Sequence, residues 1–349
     1  MEDAEKRRRG DAEIERQGDR ETGRQGDAPG VSPTAQVTTG FGQSILAELS
    51  AAGLDSVEGA FAYGLGQDLD KPGLEHRRRT RLEITDAKGI SHELYLKRYE
   101  DEGFGRKMVR LLTYGSGKSP GTCEFDNIVA LRAAGATTMQ EVICGQRGGL
   151  FSRCRSYVIV TAVPGRSLEK CADELLASDP AAGLALAVKL GRLAAKLHGH
   201  GFVHRDFYAC HIFVNRNSEG YATETQRAQR EEKRRERGDD FDLYLIDLAR
   251  VFRPRWRKFR WRVKDLAQLK YSMPVGWVKE QWGHFLEGYL EALEEHCPVR
   301  AGCKQRGSGI RAATHEHDAR EVDNAIDRKV AWMVRRAAAR LSAAGERSA

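Results

Sequence analysis

The chain has 349 residues, 40% of them hydrophobic and 31% charged, with a net charge of +7. That is enough apolar material for one two-lobed domain or two small ones. No stretch is long and apolar enough to cross a bilayer, and the N-terminus lacks the apolar run of a secretory signal, so the protein is expected in the cytoplasm or, at most, peripheral on the inner face of the cytoplasmic membrane. Seven cysteines (Cys123, Cys144, Cys154, Cys171, Cys210, Cys297, Cys303) show no Cys-x-x-Cys pair or zinc-type spacing. Free thiols are the expectation, with Cys210 a small hydrophobe beneath its loop.

Residues 1–40 form a tail rich in Arg, Glu, Asp, Gln and Gly with almost no large apolar side chains, a composition that does not offset its ordering entropy. A short helix is predicted over 41–54. Arg81 to Thr85 and His92 to Lys97 read as strands joined by the turn Asp86-Ala87-Lys88-Gly89. A helix opens at Glu124, carries Ile128 and Leu131 at helical spacing, and stops before Gly135. Strands follow near 140–144 and 157–161, and Ala162-Val163-Pro164-Gly165 connects two lobes. Leu186, Leu190, Leu193 and Leu197 form one apolar helical stripe closed by Gly199 and Gly201.

Ile212 to Asn215 and Phe241 to Ile246 read as a hairpin, with 216–240 a charged, exposed insertion at its tip. Further helices are predicted from Leu266, along Trp282, Phe285, Leu286, Tyr289 and Leu290, and along Val330, Met333, Val334, Ala337 and Leu341. Residues 298–318 lack periodicity and read as loop. Strands precede helices, an α+β order that suits a small sheet lobe (41–163) on a larger helical lobe (164–345).

The chemistry gathers in His204-Arg205-Asp206-Phe207-Tyr208-Ala209-Cys210-His211 and in Leu245-Ile246-Asp247-Leu248. An aspartate after an apolar helix, and a second closing an apolar hairpin, is the order of a kinase-type phosphotransferase. Asp206 is expected to accept the proton of the incoming hydroxyl, and Asp247 to hold the metal that bridges the phosphates of ATP. Lys97, ending an apolar strand, would reach the α and β phosphates, with Glu124 pairing with it. His204 is expected to brace the catalytic loop, and Arg205 to be structural or to meet an anion.

A protein kinase has asparagine five residues after its catalytic aspartate; here the slot is His211. Magnesium prefers oxygen ligands and imidazole softer ions, so three roles stay open: tolerating manganese, touching a phosphate, or binding metal weakly. No Gly-x-Gly-x-x-Gly loop precedes Lys97. Phe61 to Gly66 is a partial echo, and the turn 86–89 is the expected phosphate cover.

Residues 250–264 hold eight basic and no acidic side chains, leaving the rest of the chain net −1. They are Arg250, Arg253, Arg255, Arg257, Lys258, Arg260, Arg262 and Lys264, interleaved with Phe252, Trp256, Phe259 and Trp261. Nucleic acid, an anionic leaflet and an anionic sugar acceptor all fit such a stretch. Its place after Asp247 favours the last two, so no nucleic-acid partner is expected. A solvated face with the tryptophans in the core is the structural alternative.

The tract 204–211, with Leu245-Ile246-Asp247-Leu248 and Val263-Lys264-Asp265-Leu266-Ala267-Gln268-Leu269, resembles the bacterial lipopolysaccharide kinases of the Kdo and heptose type. Tyr95-Leu96-Lys97-Arg98, Glu124 and Leu131 through Gly135 fit the same pattern. The resemblance implies a two-lobed protein-kinase-like fold, with a small β-rich N-lobe and a larger helical C-lobe. It also implies dependence on ATP and a divalent ion (Mg2+, with Mn2+ an option) and a glycolipid acceptor phosphorylated on a sugar hydroxyl, closest to the heptose kinases of the inner core. Asp265 would be a structural aspartate bracing the catalytic loop. Three departures put the acceptor in doubt: the insertion 216–240, the N-terminal tail, and Ala249 where histidine is usual. A protein or small-molecule acceptor, or a nucleotide-binding scaffold without turnover, are the competing readings.

Overall fold

The computed structural model describes residues 36–37, 43–69, 77–100, 103–115, 117–149, 151–178, 180–215, 241–295 and 319–345. Apart from Gln36 and Val37, the expected tail lies outside them, as do the insertion 216–240, the stretch 298–318, and Cys297 and Cys303.

Six strands build an antiparallel sheet in the order β1-β5-β6-β4-β3-β2: β1 Gln36–Val37, β2 Gln67–Asp68, β3 Arg77–Thr85, β4 Ser91–Tyr99, β5 Glu141–Arg147 and β6 Arg155–Thr161. The predicted β3–β4 hairpin is present and longer than its apolar alternation indicated, pairing Arg77 with Tyr99 through to Thr85 with Ser91. Its period of two sorts side chains between faces. Leu94 and Leu96 of β4, Leu82 of β3, and Tyr157 and Ile159 of β6 pack against Ile45 and Leu49 of helix α1 (Gln43–Ala51) and against Val57 and Ala60 of α2 (Val57–Ala62). A bulge between Glu141 and Ile143 lets consecutive Val142 and Ile143 both join that cluster. On the opposite face Tyr99, Val158 and Val160 meet Phe125, Ile128 and Leu131 of α4 (Pro120–Ala133). Lys97 lies on that second face by register, which is what aims it at α4.

Helix α4 starts earlier than predicted. Ser119 caps it, accepting from the amide of Thr122, and Pro120 occupies the first turn, so Glu124 sits in the second turn rather than opening the helix. Its end is as expected, with Gly135 at φ 76° in the left-handed region. A preceding helix, α3 (Phe104–Tyr114), has no counterpart among the sequence expectations.

The second lobe is helical. A three-stranded sheet, β7 (Arg166–Ser167), β8 (Ile212–Asn215) and β9 (Asp242–Leu245), carries the predicted hairpin between the two candidate aspartates. Below it lie α5 (Leu168–Ser178), also unanticipated, and α6 (Pro180–Gly199), whose Leu186, Leu190, Leu193 and Leu197 are buried as predicted. Helix α8 (Val275–Glu295) crosses α6 so closely that a β-carbon on Gly191 would come within 2.3 Å of the Phe285 carbonyl oxygen. Helix α7 runs Lys258–Ser272, beginning eight residues before the predicted start at Leu266, because the basic stretch hides its period. In α9 (Ala319–Gly345) Val322 and Ile326 are the buried side chains among those described. Of the predicted stripe, Val330 and Met333 pack against the core, while Val334 is 51% exposed. The result is the α+β, two-lobed fold expected: a small sheet lobe on a larger helical one.

Candidate active site

Between the lobes lies a cleft of about 510 Å3, lined among others by Arg77, Lys97, Thr161, Cys210, His211 and Asp247. Its volume is that of a small-molecule pocket. Lys97 donates to Glu124 Oε1 at 2.5 Å, and Glu124 is fully buried. Tyr99, two residues along the same face of β4, donates its hydroxyl to Glu124 Oε2 at 2.7 Å. Both carboxylate oxygens are therefore engaged, and the lysine is fixed at the cleft wall.

Asp247 follows β9 in a left-handed conformation (φ 59°), a strained geometry for a side chain that carries a β-carbon. Burial works against its charge, but the Lys97 and Arg77 cations beside it outweigh burial and hold its carboxyl far below the usual carboxylate range. Arg77 reaches it from the first residue of β3, Nη2 to Oδ1 at 2.7 Å, and also lies over the Tyr99 ring.

The catalytic loop is held from beneath. Asp265 of α7, fully buried, accepts from the amides of His204 (2.6 Å) and Arg205 (2.8 Å), with His198 Nε2 at 3.4 Å. Arg205 is itself left-handed (φ 71°), so these two charged hydrogen bonds secure an otherwise costly turn. Its guanidinium lies over the rings of Phe252 and Trp261. His204, buried and kept neutral by its burial, donates Nε2–H to the Ile246 carbonyl at 3.1 Å, tying the loop to the residue before Asp247. Gln268 and Ser272 accept from the amides of Phe207 and Ala209.

His211 Nδ1 lies 2.8 Å from the Asp206 carbonyl oxygen, which can only accept, so Nδ1 bears the hydrogen and the Nε2 lone pair faces the cleft. Nε2 is 3.8 Å from Asp247 Oδ2. Burial disfavours the imidazolium, yet hydrogen bonds to Cys210 and Asp206 and the charge of Asp247 leave its pKa raised. This pair of donors suits a divalent ion that takes its remaining ligands from phosphate and water. Among the described residues no cluster of three or more His, Cys, Asp or Glu side chains is placed to cage a metal unaided.

The Asp206 carboxylate is not in the cleft wall but beside it, where Arg250 Nη1 donates to Oδ1 (2.9 Å) and Oδ2 (2.7 Å). Of the five basic residues expected at the acceptor, only Arg250 reaches the catalytic loop. Arg253 lies over the Phe202 ring at 4.1 Å, and Arg255, Arg257 and Lys258 are exposed at the start of α7. Farther along, Arg262 and Lys264 turn inward, donating to the carbonyls of His198 and Arg205. The stretch is thus divided between bracing and solvent.

Two expectations are corrected. The turn 86–89 lies beyond the far end of β4, whose first residue, Ser91, is already six residues or about 20 Å from Lys97. Asp86 there accepts from the amides of Lys88 and Ile90, so the turn is a local cap rather than a phosphate cover. Leu69 and Arg77, which flank residues 70–76, line the cleft instead; residues 70–76 are outside the described ones, and neither the turn nor Phe61 to Gly66 touches the cleft. Cys210, expected beneath its loop, is half-buried and lines the cleft. Arg77, Tyr99 and Asn127 were not singled out from sequence. Asn127, three residues after Glu124, donates to the carbonyls of Leu248 (2.8 Å) and Val251 (2.9 Å), coupling α4 to the segment after Asp247.

A curated relative, the lipopolysaccharide core heptose(I) kinase WaaP of Pseudomonas aeruginosa, is 30% identical over 221 residues, covering 62% of this chain and 75% of that protein. The protein of the same name from Escherichia coli K12 is 28% identical over 222 residues, 62% and 76% of the two chains. A solved structure described as WaaP in complex with acyl carrier protein superposes with a TM-score of 0.52 at 24% identity, covering 80% of this chain and 90% of that one, a likeness of fold. Residues 72–289, which contain all the cleft-lining residues named above except Leu69, match the family model, and the chain belongs to the lipopolysaccharide kinase (Kdo/WaaP) family.

Proposed function

We propose that this chain, an ATP-using phosphotransferase by its family, transfers the terminal phosphoryl group to a heptose hydroxyl of the lipopolysaccharide inner core, with Asp206 as the proton acceptor. The observation that carries this reading is the convergence of Lys97, Asp247 and His211 on one cleft, with Asp206 linked to it through the His211 hydrogen bond. Lys97, oriented by Glu124, neutralises nucleotide phosphates, and Asp247 with His211 would hold the divalent ion, Mg2+ or Mn2+, which when bound would supply charge neutralisation to the phosphates. Asp206 orients the incoming hydroxyl and takes its proton, while His204, Arg205 and Asp265 keep the loop in shape.

Each acidic centre carries an arginine: Arg77 on Asp247 and Arg250 on Asp206. Nucleotide phosphates offer Arg77 a competing anion. Arg250, half-exposed beside Asp206, is placed to meet an anionic group on the acceptor, with Arg253, Arg255, Arg257 and Lys258 as the outer contacts of the same stretch. Since the acceptor is a glycolipid, the enzyme works at the inner face of the cytoplasmic membrane. No described helix is long and apolar enough to cross a membrane.

The test is transfer of labelled phosphate from ATP to dephosphorylated inner-core acceptor, with the product located by mass spectrometry. Asp206→Ala is expected to abolish transfer while ATP still binds. Transfer that survives this substitution overturns the mechanism, and transfer only to protein or to small soluble alcohols overturns the acceptor.

A further inference from the structure

Helix α3 is inside out. A surface helix normally buries its apolar stripe and exposes its charges. Here Phe104, Val109 and Leu112 are 56%, 63% and 80% exposed, whereas Lys107 is 6% exposed and donates to the carbonyls of Gly149 and Ser152 in the β5–β6 hairpin. The lysine clamps the helix to that hairpin with its leucine side outward. From the hairpin, Phe151, 86% exposed, sets its ring 6.1 Å from that of Phe104 and extends the same apolar surface.

The surround is basic. No acidic residue occurs in 103–123 or in 142–157, while these segments contain Arg106, Lys107, Arg110, Lys118, Arg147, Arg153 and Arg155. Lys118 pairs with Asp126 and Arg147 with Glu58, both acidic partners coming from outside the segments. At the C-terminal end of α3, Arg255 Nη2 lies 3.4 Å from where a β-carbon on Gly115 would stand, so the basic stretch comes up to the helix. Trp256, next in the chain, is 81% exposed. Apolar side chains with an aromatic and a cationic border match an anionic phospholipid interface rather than the core of a protein dimer.

We infer that the outward face of α3, with Phe151, docks the enzyme on the anionic bilayer that carries its acceptor. The inference rests on the acceptor's being a membrane glycolipid. Its geometry is consistent with the site: Arg250, on Asp206, and Arg255, at the end of α3, are five residues apart, which spans at most about 18 Å of chain. A bilayer lying against α3 would thus keep the catalytic aspartate within reach of sugars just above the lipid surface.

The experiment is co-sedimentation of the full chain with phosphatidylcholine vesicles, with and without phosphatidylglycerol, for the wild type, Leu112→Asp, Phe151→Ser and the double variant. Both positions of change are exposed, and thermal melting checks that folding is intact. The wild type is expected to bind the anionic vesicles in a salt-sensitive way, each substitution to weaken binding about tenfold, and the double variant to abolish it. Transfer to a deacylated, water-soluble acceptor should be unchanged in the variants, whereas transfer to acceptor embedded in vesicles should fall. Vesicle binding equal in wild type and variants overturns the inference. So does self-association, or capture of a soluble acidic protein, through this face without vesicle binding. Intact, variant-sensitive vesicle binding with no transfer to any inner-core acceptor would instead overturn the functional reading and leave the docking surface standing.

Discussion

Replacing Lys97 by methionine tests whether the Lys97–Glu124 contact is a buried charge pair or a surface ornament. The pair is 2.5 Å long, with side-chain exposures of 6% and 0%, and the remaining Glu124 oxygen is held by Tyr99. Removing one partner of such a pair leaves an uncompensated buried charge, at a cost of about 3–5 kcal/mol. With an unfolding entropy of about 2.1 cal/mol/K per residue, or on the order of 0.7 kcal/mol/K for the whole chain, Tm should fall by about 4–7 °C. The double variant Lys97→Met, Glu124→Gln presents a neutral pair of similar volume, in which the Tyr99 hydroxyl still finds an oxygen, so its stability should return to within about 1 kcal/mol of wild type. The coupling in this cycle should exceed about 2 kcal/mol. Activity should part company with stability: Lys97→Met and the double variant should both lose roughly 100-fold or more in kcat/KM for ATP, because no neutral group replaces the cation at the phosphates, while Glu124→Gln, which keeps the lysine and loses only its charged anchor, should lose less. Calorimetry and steady-state kinetics on the same four proteins read both quantities. A Lys97→Met variant no less stable than the double, or a double variant with recovered turnover, would refute the reasoning.

Asp265→Asn turns one carboxylate oxygen into an amide donor facing a backbone donor, so one of the two loop hydrogen bonds is lost and the left-handed turn at Arg205 relaxes. Stability should drop by about 2–4 kcal/mol, with kcat falling and KM for ATP nearly unchanged, as read by melting and initial rates. His198 and His204 are fully buried and held below their ordinary pKa of 6.5 by burial, so the folded state binds fewer protons than the unfolded one. Their contribution to stability is complete above pH 6.5 and shrinks as pH falls below it, and His198→Gln should flatten the decline of Tm on acidification. His211, shifted the other way, contributes below pH 6.5 and loses that contribution as pH rises through its folded pKa. Asn127→Ala leaves two carbonyls of the segment after Asp247 without their side-chain donor. It should raise hydrogen exchange there and lower kcat several-fold without loosening the Lys97–Glu124 pair.

How much of this could be read from the chain depends on where the signal is stored. Leu94 and Leu96 alternate with Lys97 in a strand whose faces are both occupied, so the lysine's direction follows from a period of two. The leucines of α6 do the same with a period of 3.6. Helix α3 defeats that logic because its Phe104, Val109 and Leu112 face out and its Lys107 faces in. The start of α7 defeats it as well, since Lys258, Arg260, Arg262 and Lys264 break any apolar stripe while Val263, Leu266 and Leu269 are the side chains that anchor the helix.

The site divides along the same line. Asp206 and Asp247 flank an apolar hairpin, a local arrangement visible in sequence, and Asp265 was reached only through family resemblance. Their partners were invisible because the contacts join distant segments: Arg77 meets Asp247 across 170 residues, and Asn127 meets Leu248 across 121. A period of two separates Arg77 from Arg78 but not from Arg79 or Arg81, and Arg79 lines the cleft as well; only the register of β3, which sets Arg77 opposite Tyr99, selects it as the partner of Asp247. The arrangement has a physical logic all the same. Two carboxylates, one in the cleft wall and one beside it, would repel any anionic ligand, and each is paired with an arginine. The left-handed turns at Arg205 and Asp247 place those carboxylates, and the structural price of each is met by hydrogen bonds from outside the loop. Chemistry of this kind is written in residue types along the chain, but its geometry is supplied by the packing of segments that sequence does not show to be neighbours.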